Sequence, residues 1–128
     1  MENCIFCQIV DGKIPCFKIY EDSDFLAFLD INPASKGHTL VIPKKHYQWV
    51  YDVPNFGKYW ETALQVTKKV QKALKPIYIS YFTHGILVPH AHIHIIPRYD
   101  TEKILPAQTK GNFEELKKIQ ETINSENK

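Results

Sequence analysis

The run His90-Ala91-His92-Ile93-His94-Ile95-Ile96 decides the fold of this chain. Histidine and apolar residues alternate along it, which is the period-2 pattern of a β-strand whose two faces differ. The apolar side chains are expected to enter a core, so the three imidazoles share the opposite face. Each buried ring nitrogen needs a partner, so packing alone is a poor explanation for three histidines in a row. The run therefore predicts a strand that carries chemistry.

The segments around this run predict further strands and one long helix. Strands are expected at 17–21, 25–29, 38–42, 77–82 and 87–96, with the first two forming a hairpin and Pro97 closing the last. The stretch 55–75 changes to a helical period, and Pro76 ends it. The apolar face of this helix is predicted to be Phe56, Trp60, Ala63, Leu64, Thr67, Val70, Ala73 and Leu74.

A second helix is predicted near the end of the chain. Asn112, followed three residues later by Glu115, forms a capping box for a helix at 112–124. Its apolar stripe would be Leu116, Ile119 and Ile123. The element order of hairpin, strand, long helix, two strands and helix indicates one α+β domain over 1–128, with a mainly antiparallel sheet.

Composition narrows the classes of partner. The 128 residues carry 16 basic and 14 acidic side chains, a net charge of +2, which argues against a broad nucleic-acid footprint. No apolar run approaches the roughly 20 residues that span a bilayer. The N-terminus lacks the design of a signal peptide, and three cysteines do not form a disulfide framework at this length. A cytoplasmic protein with no nucleic-acid or membrane partner is expected.

Two chemical interpretations of the histidine row follow from the residues alone. Neutral imidazole is the commonest ligand for zinc and similar ions, so the row is a candidate metal site. Alternatively, one histidine attacks phosphorus while its neighbours hold its tautomer and the phosphate oxygens. Cys4-x-x-Cys7 adds a second candidate site, because this spacing is typical of zinc binding and of redox chemistry. Zinc would need two more ligands, for which His46 and His90 are candidates.

The histidine row resembles the motif of the histidine triad (HIT) family, His-φ-His-φ-His-φ-φ with φ apolar. Pro97-Arg98 after the row is also similar to the family. Three upstream segments resemble it in the same order: Cys4-Ile5-Phe6-Cys7, Phe28-Leu29-Asp30-Ile31-Asn32-Pro33 and Gly37-His38-Thr39-Leu40-Val41-Ile42-Pro43-Lys44-Lys45-His46. The resemblance spans about residues 4 to 98, which leaves the predicted C-terminal helix as an extension.

The resemblance implies a HIT-like α+β fold, a homodimer, and hydrolysis or transfer of a nucleoside monophosphate such as an AMP derivative. It implies that His92 is the nucleophile and forms a nucleotidyl-histidine intermediate. The carbonyl of His90 would orient the ring of His92, and His94 would contact phosphate oxygens. Asp30 would bind the ribose hydroxyls of a purine nucleotide, and the weaker implied base-pocket residues are Phe6, Ile9, Phe28, Leu29 and Ile31.

The resemblance also assigns the two cysteines. In zinc-containing members of the family the corresponding set is the metal site, which here implies a structural zinc held by Cys4, Cys7, His46 and His90. Such a site would fix the N-terminus to the histidine strand. Neither His38 nor His84 has a clear role in this scheme, and both are expected to be ordinary residues of a strand edge and a loop. The alternative for His84 is contact with the leaving group, since its loop leads to the histidine strand.

One segment departs from the family pattern. Many members carry Asn-x-Gly and then Ala-Gly-Gln-x-Val before the motif, whereas this chain keeps Gly85 and Val88 but has Ile86 at the glutamine position. Two alternatives to a nucleotidyl-histidine enzyme stay open. One is a nucleotide-binding module with little turnover, and the other is an open zinc hydrolase that uses His90, His92 and His94 together.

Overall fold

The chain is described here by a computed structural model over residues 3–125. The strands are β1 (Lys18–Glu21), β2 (Phe25–Leu29), β3 (Thr39–Pro43), β4 (Tyr78–Phe82) and β5 (Ile93–Arg98). The helices are α1 (Ile5–Val10), α2 (Phe56–Leu74) and α3 (Phe113–Ser125), with a 3₁₀ turn at Val50–Asp52. The strands form an antiparallel sheet of order β1-β2-β3-β5-β4. The predicted α+β class is confirmed.

The sheet is covered on both faces, and each face has its own core. On one face, Ala27, Val41 and Ile93 pack against Ala63 and Val66 of α2. On the other face, Leu26, Phe28, Leu40 and Ile42 pack with α1 and the two N-terminal cysteines. Alternate residues of β2 and β3 thus enter opposite cores, which explains why both strands are apolar throughout. The histidine row lies against the α1 face.

The predicted apolar face of α2 is partly wrong. Ala63, Thr67 and Val70 are buried, but Phe56 and Leu64 are about half exposed and Ala73 is also exposed. The buried face is instead centred on Tyr59, Thr62 and Val66, so it is rotated from the predicted one. The end of α2 agrees with the sequence, since Lys75 adopts a left-handed conformation directly before Pro76.

The strand that carries the motif begins later than predicted. The prediction was 87–96, but β5 runs from Ile93 to Arg98 and includes Pro97. The preceding segment is held by a local turn, in which the N–H of His90 donates to the carbonyl of Val88 at 2.8 Å. The side chains nevertheless alternate between the two faces through this segment: Ala91, Ile93 and Ile95 all enter the α2 core.

The C-terminal helix forms but does not join either core. The side chain of Asn112 accepts a hydrogen bond from the N–H of Glu115 at 3.1 Å, as the capping box predicts. Its apolar stripe stays half or more exposed within the single chain, at Leu116, Ile119 and Ile123. No helix of the described part of the chain is long and apolar enough to cross a membrane.

Candidate active site

The histidine row lies in the core formed with α1. Phe6 of α1 makes edge contacts with the rings of His90 and His92, at centroid distances of 5.8 and 5.1 Å. Phe6 also contacts Phe28, at 5.6 Å. His90 and His92 are both buried. Phe6, one of the predicted pocket residues, therefore forms the floor beneath these two histidines, and Phe28, another, contacts Phe6.

The hydrogen bond of His92 fixes the tautomer of its ring. Nδ1 of His92 lies 2.7 Å from the carbonyl oxygen of His90. Because a carbonyl only accepts, Nδ1 carries the proton and donates. The lone pair of the neutral ring is then at Nε2, the nitrogen that a nucleophile needs. Thr83 steadies this segment from the other side, since its hydroxyl donates to the carbonyl of His92 at 2.6 Å.

His38 is part of this site, contrary to the expectation that it is an ordinary strand-edge residue. It is buried, and its Nδ1 accepts a hydrogen bond from the N–H of Ala34 at 2.9 Å. The proton of the neutral ring is therefore on Nε2, which lies 2.8 Å from Nδ1 of His94. His38 thus donates to His94 and holds it in the tautomer that carries its own proton on Nε2.

His94 presents that proton without a partner. Its Nε2 is one of two buried side-chain polar atoms in residues 3–125 that have no hydrogen-bond partner, the other being the hydroxyl of Tyr78. Because buried polar groups are normally satisfied, an unpartnered N–H donor in a cluster of histidines indicates a place for an anionic group. The ring centroids of His92 and His94 are 4.8 Å apart.

His84 also lies in the site, contrary to its expected role as an ordinary loop histidine. Its ring is 5.5 Å from that of His92 and 6.0 Å from that of His94. The structure therefore groups His84, rather than His90, with the two later histidines of the row. His90 faces the cysteines instead, so the proposed open metal site of His90, His92 and His94 is wrong.

Asp30 follows β2 and brings a carboxylate close to this cluster. Its Oδ2 is 3.6 Å from Nε2 of His38, and its Oδ1 accepts a hydrogen bond from the N–H of Asn32 at 2.8 Å. The remaining predicted pocket residues differ in exposure: Ile9 and Leu29 are half-buried, and Ile31 is 76% exposed. Exposure at Ile31 places it at the rim of the site rather than in its floor.

Burial favours the neutral form of His38, His92 and His94. It lowers the pKa of His94 to about 4, and the neighbouring His92 and His38 add to the shift. Burial also lowers the pKa of His92 and His38, although the hydrogen bond to His90 and the charge of Asp30, respectively, oppose the shift. At neutral pH these three rings therefore offer lone pairs and N–H donors rather than positive charges.

We expect the free energy of unfolding to fall as the pH drops from about 6.5 toward 4. The pKa of His94 is about 4 in the folded chain, so over that window the unfolded chain, with a histidine pKa near 6.5, binds more protons. The contribution of His94, on the order of 1–3 kcal/mol, is complete above the unfolded pKa and lost on acidification. The free energy of unfolding, measured in urea at several pH values, should fall less steeply with decreasing pH in His94→Gln than in wild type. An equal pH dependence in the two proteins would contradict the assignment.

The second cluster consists of Cys4, Cys7, His46 and His90. Nδ1 of His90 lies 3.3 Å from Sγ of Cys4 and 3.5 Å from Sγ of Cys7, and Nδ1 of His46 lies 3.3 Å from Sγ of Cys7. The four ligand atoms all lie within 4.8 Å of one another. In a tetrahedral zinc site, bond lengths of about 2.3 Å to sulfur and 2.0–2.1 Å to nitrogen imply S···N edges of about 3.5 Å. The spacing fits a four-coordinate ion.

The tautomer of His90 supports the same interpretation. Its Nε2 donates to the carbonyl of Pro43 at 2.8 Å, so the lone pair is at Nδ1 and points between the two sulfurs. Burial lowers the pKa of His90 to about 4, which keeps that lone pair available. Burial also raises the pKa of Cys7 to about 11, so ion binding at this cluster would release thiol protons.

Comparison with known proteins agrees with this geometry. The HIT domain family matches residues 11–101. The Bacillus subtilis protein named Protein hit is 43% identical over 105 residues, covering 77% of this chain and 72% of that protein. A crystal structure of a HIT family member from Bacillus subtilis has a TM-score of 0.81 and 37% identity, and 95% of each chain is covered. The chain belongs to the HIT family.

Two relatives have names that state an activity. The Saccharomyces cerevisiae protein named adenosine 5'-monophosphoramidase is 36% identical over 129 residues, covering 94% of this chain and 80% of that protein. The corresponding protein of Schizosaccharomyces pombe is 42% identical over 105 residues, covering 78% of this chain and 77% of that protein.

Proposed function

We propose that this HIT-family protein is a nucleotide hydrolase that cleaves the bond between the α-phosphate of a nucleoside 5'-monophosphate and its substituent. The observation that carries the proposal is the hydrogen-bond pattern around His92. Its Nδ1–H is bound to the His90 carbonyl, so the Nε2 lone pair is directed away from the backbone, next to the unpartnered N–H of His94. The yeast relatives named adenosine 5'-monophosphoramidase support a phosphoramidate of AMP as the substrate.

The reaction would proceed in two displacements at phosphorus. Nε2 of His92 attacks the α-phosphorus, the bond from phosphorus to the substituent breaks, and the substituent leaves with the electron pair and a proton taken from solvent. A water molecule then attacks the nucleotidyl-histidine and gives up a proton to solvent, the P–N bond breaks, and the electron pair returns to Nε2. The Nε2–H of His94 acts in both steps. It donates a hydrogen bond to an equatorial oxygen of the phosphoryl group and so stabilises the negative charge that these oxygens carry in the transition state.

The nucleotide would extend from His92 toward the end of β2. Asp30 is positioned near the cluster to accept hydrogen bonds from ribose hydroxyls. We assign the purine base to the apolar surface of Phe6, Ile9, Phe28, Leu29 and Ile31. The exposed fraction of 76% at Ile31 suits a residue that becomes covered when a base binds.

We propose that Cys4, Cys7, His46 and His90 hold a structural zinc ion. The chemistry of the donor set supports zinc, since two thiolates and two imidazoles are a common tetrahedral ligand set. The ion would contribute rigidity only, because all four positions are taken by the chain. His90 would link this site to the reaction, as its ring is a ligand and its carbonyl holds Nδ1 of His92.

We also propose that the protein is a homodimer in solution. Edge strand β4 has a free side, and next to it Trp60 contacts Phe56 and Tyr81 at 6.3 and 5.6 Å. Together with Leu64 these residues form an apolar surface, and such a surface marks an interface. Sedimentation velocity at micromolar concentration should give a dimer that Leu64→Lys dissociates. A monomeric wild-type protein would contradict the proposal.

A panel of AMP derivatives tests the proposed activity. Adenosine phosphoramidates, a dinucleoside polyphosphate and an aminoacyl-adenylate are each mixed with excess enzyme, and AMP release is followed over a single turnover. We expect turnover of at least one of these substrates, led by a phosphoramidate. Binding of AMP without turnover of any of them would instead establish the alternative, a nucleotide-binding module. Ile86, which is exposed and stands at the glutamine position of the family pattern, and the exposed Leu87 beside it favour that alternative.

A further inference from the structure

The loop between β4 and β5 brings a fourth imidazole to the nucleophile. One ring nitrogen of each of His84, His92 and His94 lies within 4.8 Å of those of the other two. The ring of His84 also contacts Phe82 at 5.4 Å. His84 therefore faces the same space as the lone pair of His92 and the free N–H of His94.

A backbone hydrogen bond fixes the tautomer of His84. The N–H of Ile86 donates to Nδ1 of His84 at 2.8 Å. An accepting Nδ1 has no proton, so the neutral ring carries its proton on Nε2 and is a donor there. The same bond opposes metal binding through Nε2, because a metal there would require the proton to be on Nδ1, which could then no longer accept from Ile86.

The loop holds His84 in place from both sides. Gly85 has a φ of +80°, and a Cβ at this position would lie 2.5 Å from the carbonyl oxygen of Gln48. The side-chain amide of Gln48 donates to the carbonyl of Gly85 at 3.2 Å. On the other side of His84, Thr83 is bonded to the backbone of His92. A donor held this way is preorganised, which is the condition for stabilising charge that develops during a reaction.

The residues after His84 offer no other side-chain donor. The segment 86–89 is Ile86-Leu87-Val88-Pro89, and Ile86 and Leu87 are 65% and 85% exposed. We propose that His84 is a further catalytic residue, which donates its Nε2–H to a non-bridging oxygen of the phosphoryl group attacked by His92. His84 thus supplies a polar contact that the segment 86–89 lacks.

The proposal rests on the proposed function, because it requires a phosphoryl group at His92. No proton is transferred in it: the N–H of His84 stays on the ring in both displacements. Attack adds charge to the equatorial oxygens, and the two donors, His84 and His94, would share that charge on either side of the nucleophile. The effect of His84 should therefore be the same for every leaving group.

Two substitutions separate the donor from the ring. His84→Phe keeps an aromatic ring against Phe82 and removes the N–H, whereas His84→Gln restores an N–H donor at a similar reach. We expect His84→Phe to lower kcat by roughly 100-fold with little change in KM, the scale for one lost donor to a developing charge. His84→Gln should recover most of that loss. The melting temperatures of both variants report folding.

A series of AMP phosphoramidates whose leaving amines differ in basicity completes the test. The proposal expects the same loss in His84→Phe for every amine. A loss that grows with amine basicity would overturn it, because His84 would then act on the leaving group. Turnover within twofold of wild type in His84→Phe, or no rescue by His84→Gln, would also overturn it. If wild type forms no adduct at His92, the proposed function itself fails, which is a separate result.

Discussion

Replacing His92 with alanine is expected to lower turnover by about 10⁴-fold or more, the scale seen when a nucleophile is removed. The substitution removes the Nε2 lone pair, and no other ring of the cluster can replace it. Nε2 of His94 carries a proton because its Nδ1 accepts from His38, and Nδ1 of His84 already accepts from Ile86. Steady-state hydrolysis of an AMP phosphoramidate measures the effect.

Chemical rescue provides the control for this substitution. His92→Gly opens a space beside Phe6, whose ring lies 5.1 Å from that of His92. Imidazole added to the buffer should enter that space and restore part of the turnover to His92→Gly, while wild type gains nothing. A His92→Ala variant whose turnover falls by less than about 10²-fold would contradict the role of His92 as nucleophile, since even general acid–base assistance is worth about 10²–10⁴-fold.

Replacing Cys4 with serine is expected to release zinc and destabilise the whole α1 side of the sheet. The protein purified without chelator should contain about one zinc per chain, as a closed four-ligand site implies. Loss of one thiolate leaves Cys7, His46 and His90 without the cation that pairs with them. We expect a loss of about 3–5 kcal/mol in the free energy of unfolding, less than the 10–16 kcal/mol of zinc-finger peptides because this fold has cores of its own.

Cys16 provides the matched control for the zinc prediction. It is a half-buried free cysteine that packs against the same core but lies outside the four-residue cluster. Cys16→Ser should keep the full zinc content and nearly the full stability. Elemental analysis and urea unfolding measure both quantities. A wild-type content below about half a zinc per chain, or equal zinc in both variants, would contradict the site, since loss of a ligand weakens a closed site.

For the histidine row, the sequence predicted which face each side chain occupies but not where the strand begins. Alternation predicted that Ala91, Ile93 and Ile95 enter one core while the histidines face the other side, and this is confirmed. The start of β5 was predicted too early, because an apolar run does not show where ladder pairing begins. Here pairing with β3 begins at Ile93, and His90 is held instead by a turn and by its ring contacts.

The apolar face of α2 was predicted partly wrongly for a related reason. Periodicity identifies the apolar residues of a helix but not which part of a wide apolar stripe the sheet covers. Phe56 and Leu64 remain exposed within one chain, and their partner would be a second copy. Tyr59 was missed because its hydroxyl donates to the carbonyl of Val41, a contact that only the fold provides.

Single histidines carried the least information. Nothing local distinguishes His38 or His84 from surface residues, because their roles depend on bonds from Ala34 and Ile86 that fix their tautomers. The Cys4-x-x-Cys7 pair was more informative, since its spacing already indicated two ligands. Contact between these sulfurs and His90, 86 residues away from Cys4 in the sequence, required the sheet to form.

The most direct test of the central claim is to trap the nucleotidyl-enzyme. Wild-type protein is mixed with excess AMP phosphoramidate, quenched in alkali to preserve the acid-labile P–N bond, and digested for mass spectrometry. We predict an added AMP on the peptide that contains His92, with fragmentation placing it on His92 and no adduct in His92→Ala. An adduct on another histidine, or AMP release in a single turnover without any adduct, would contradict the account.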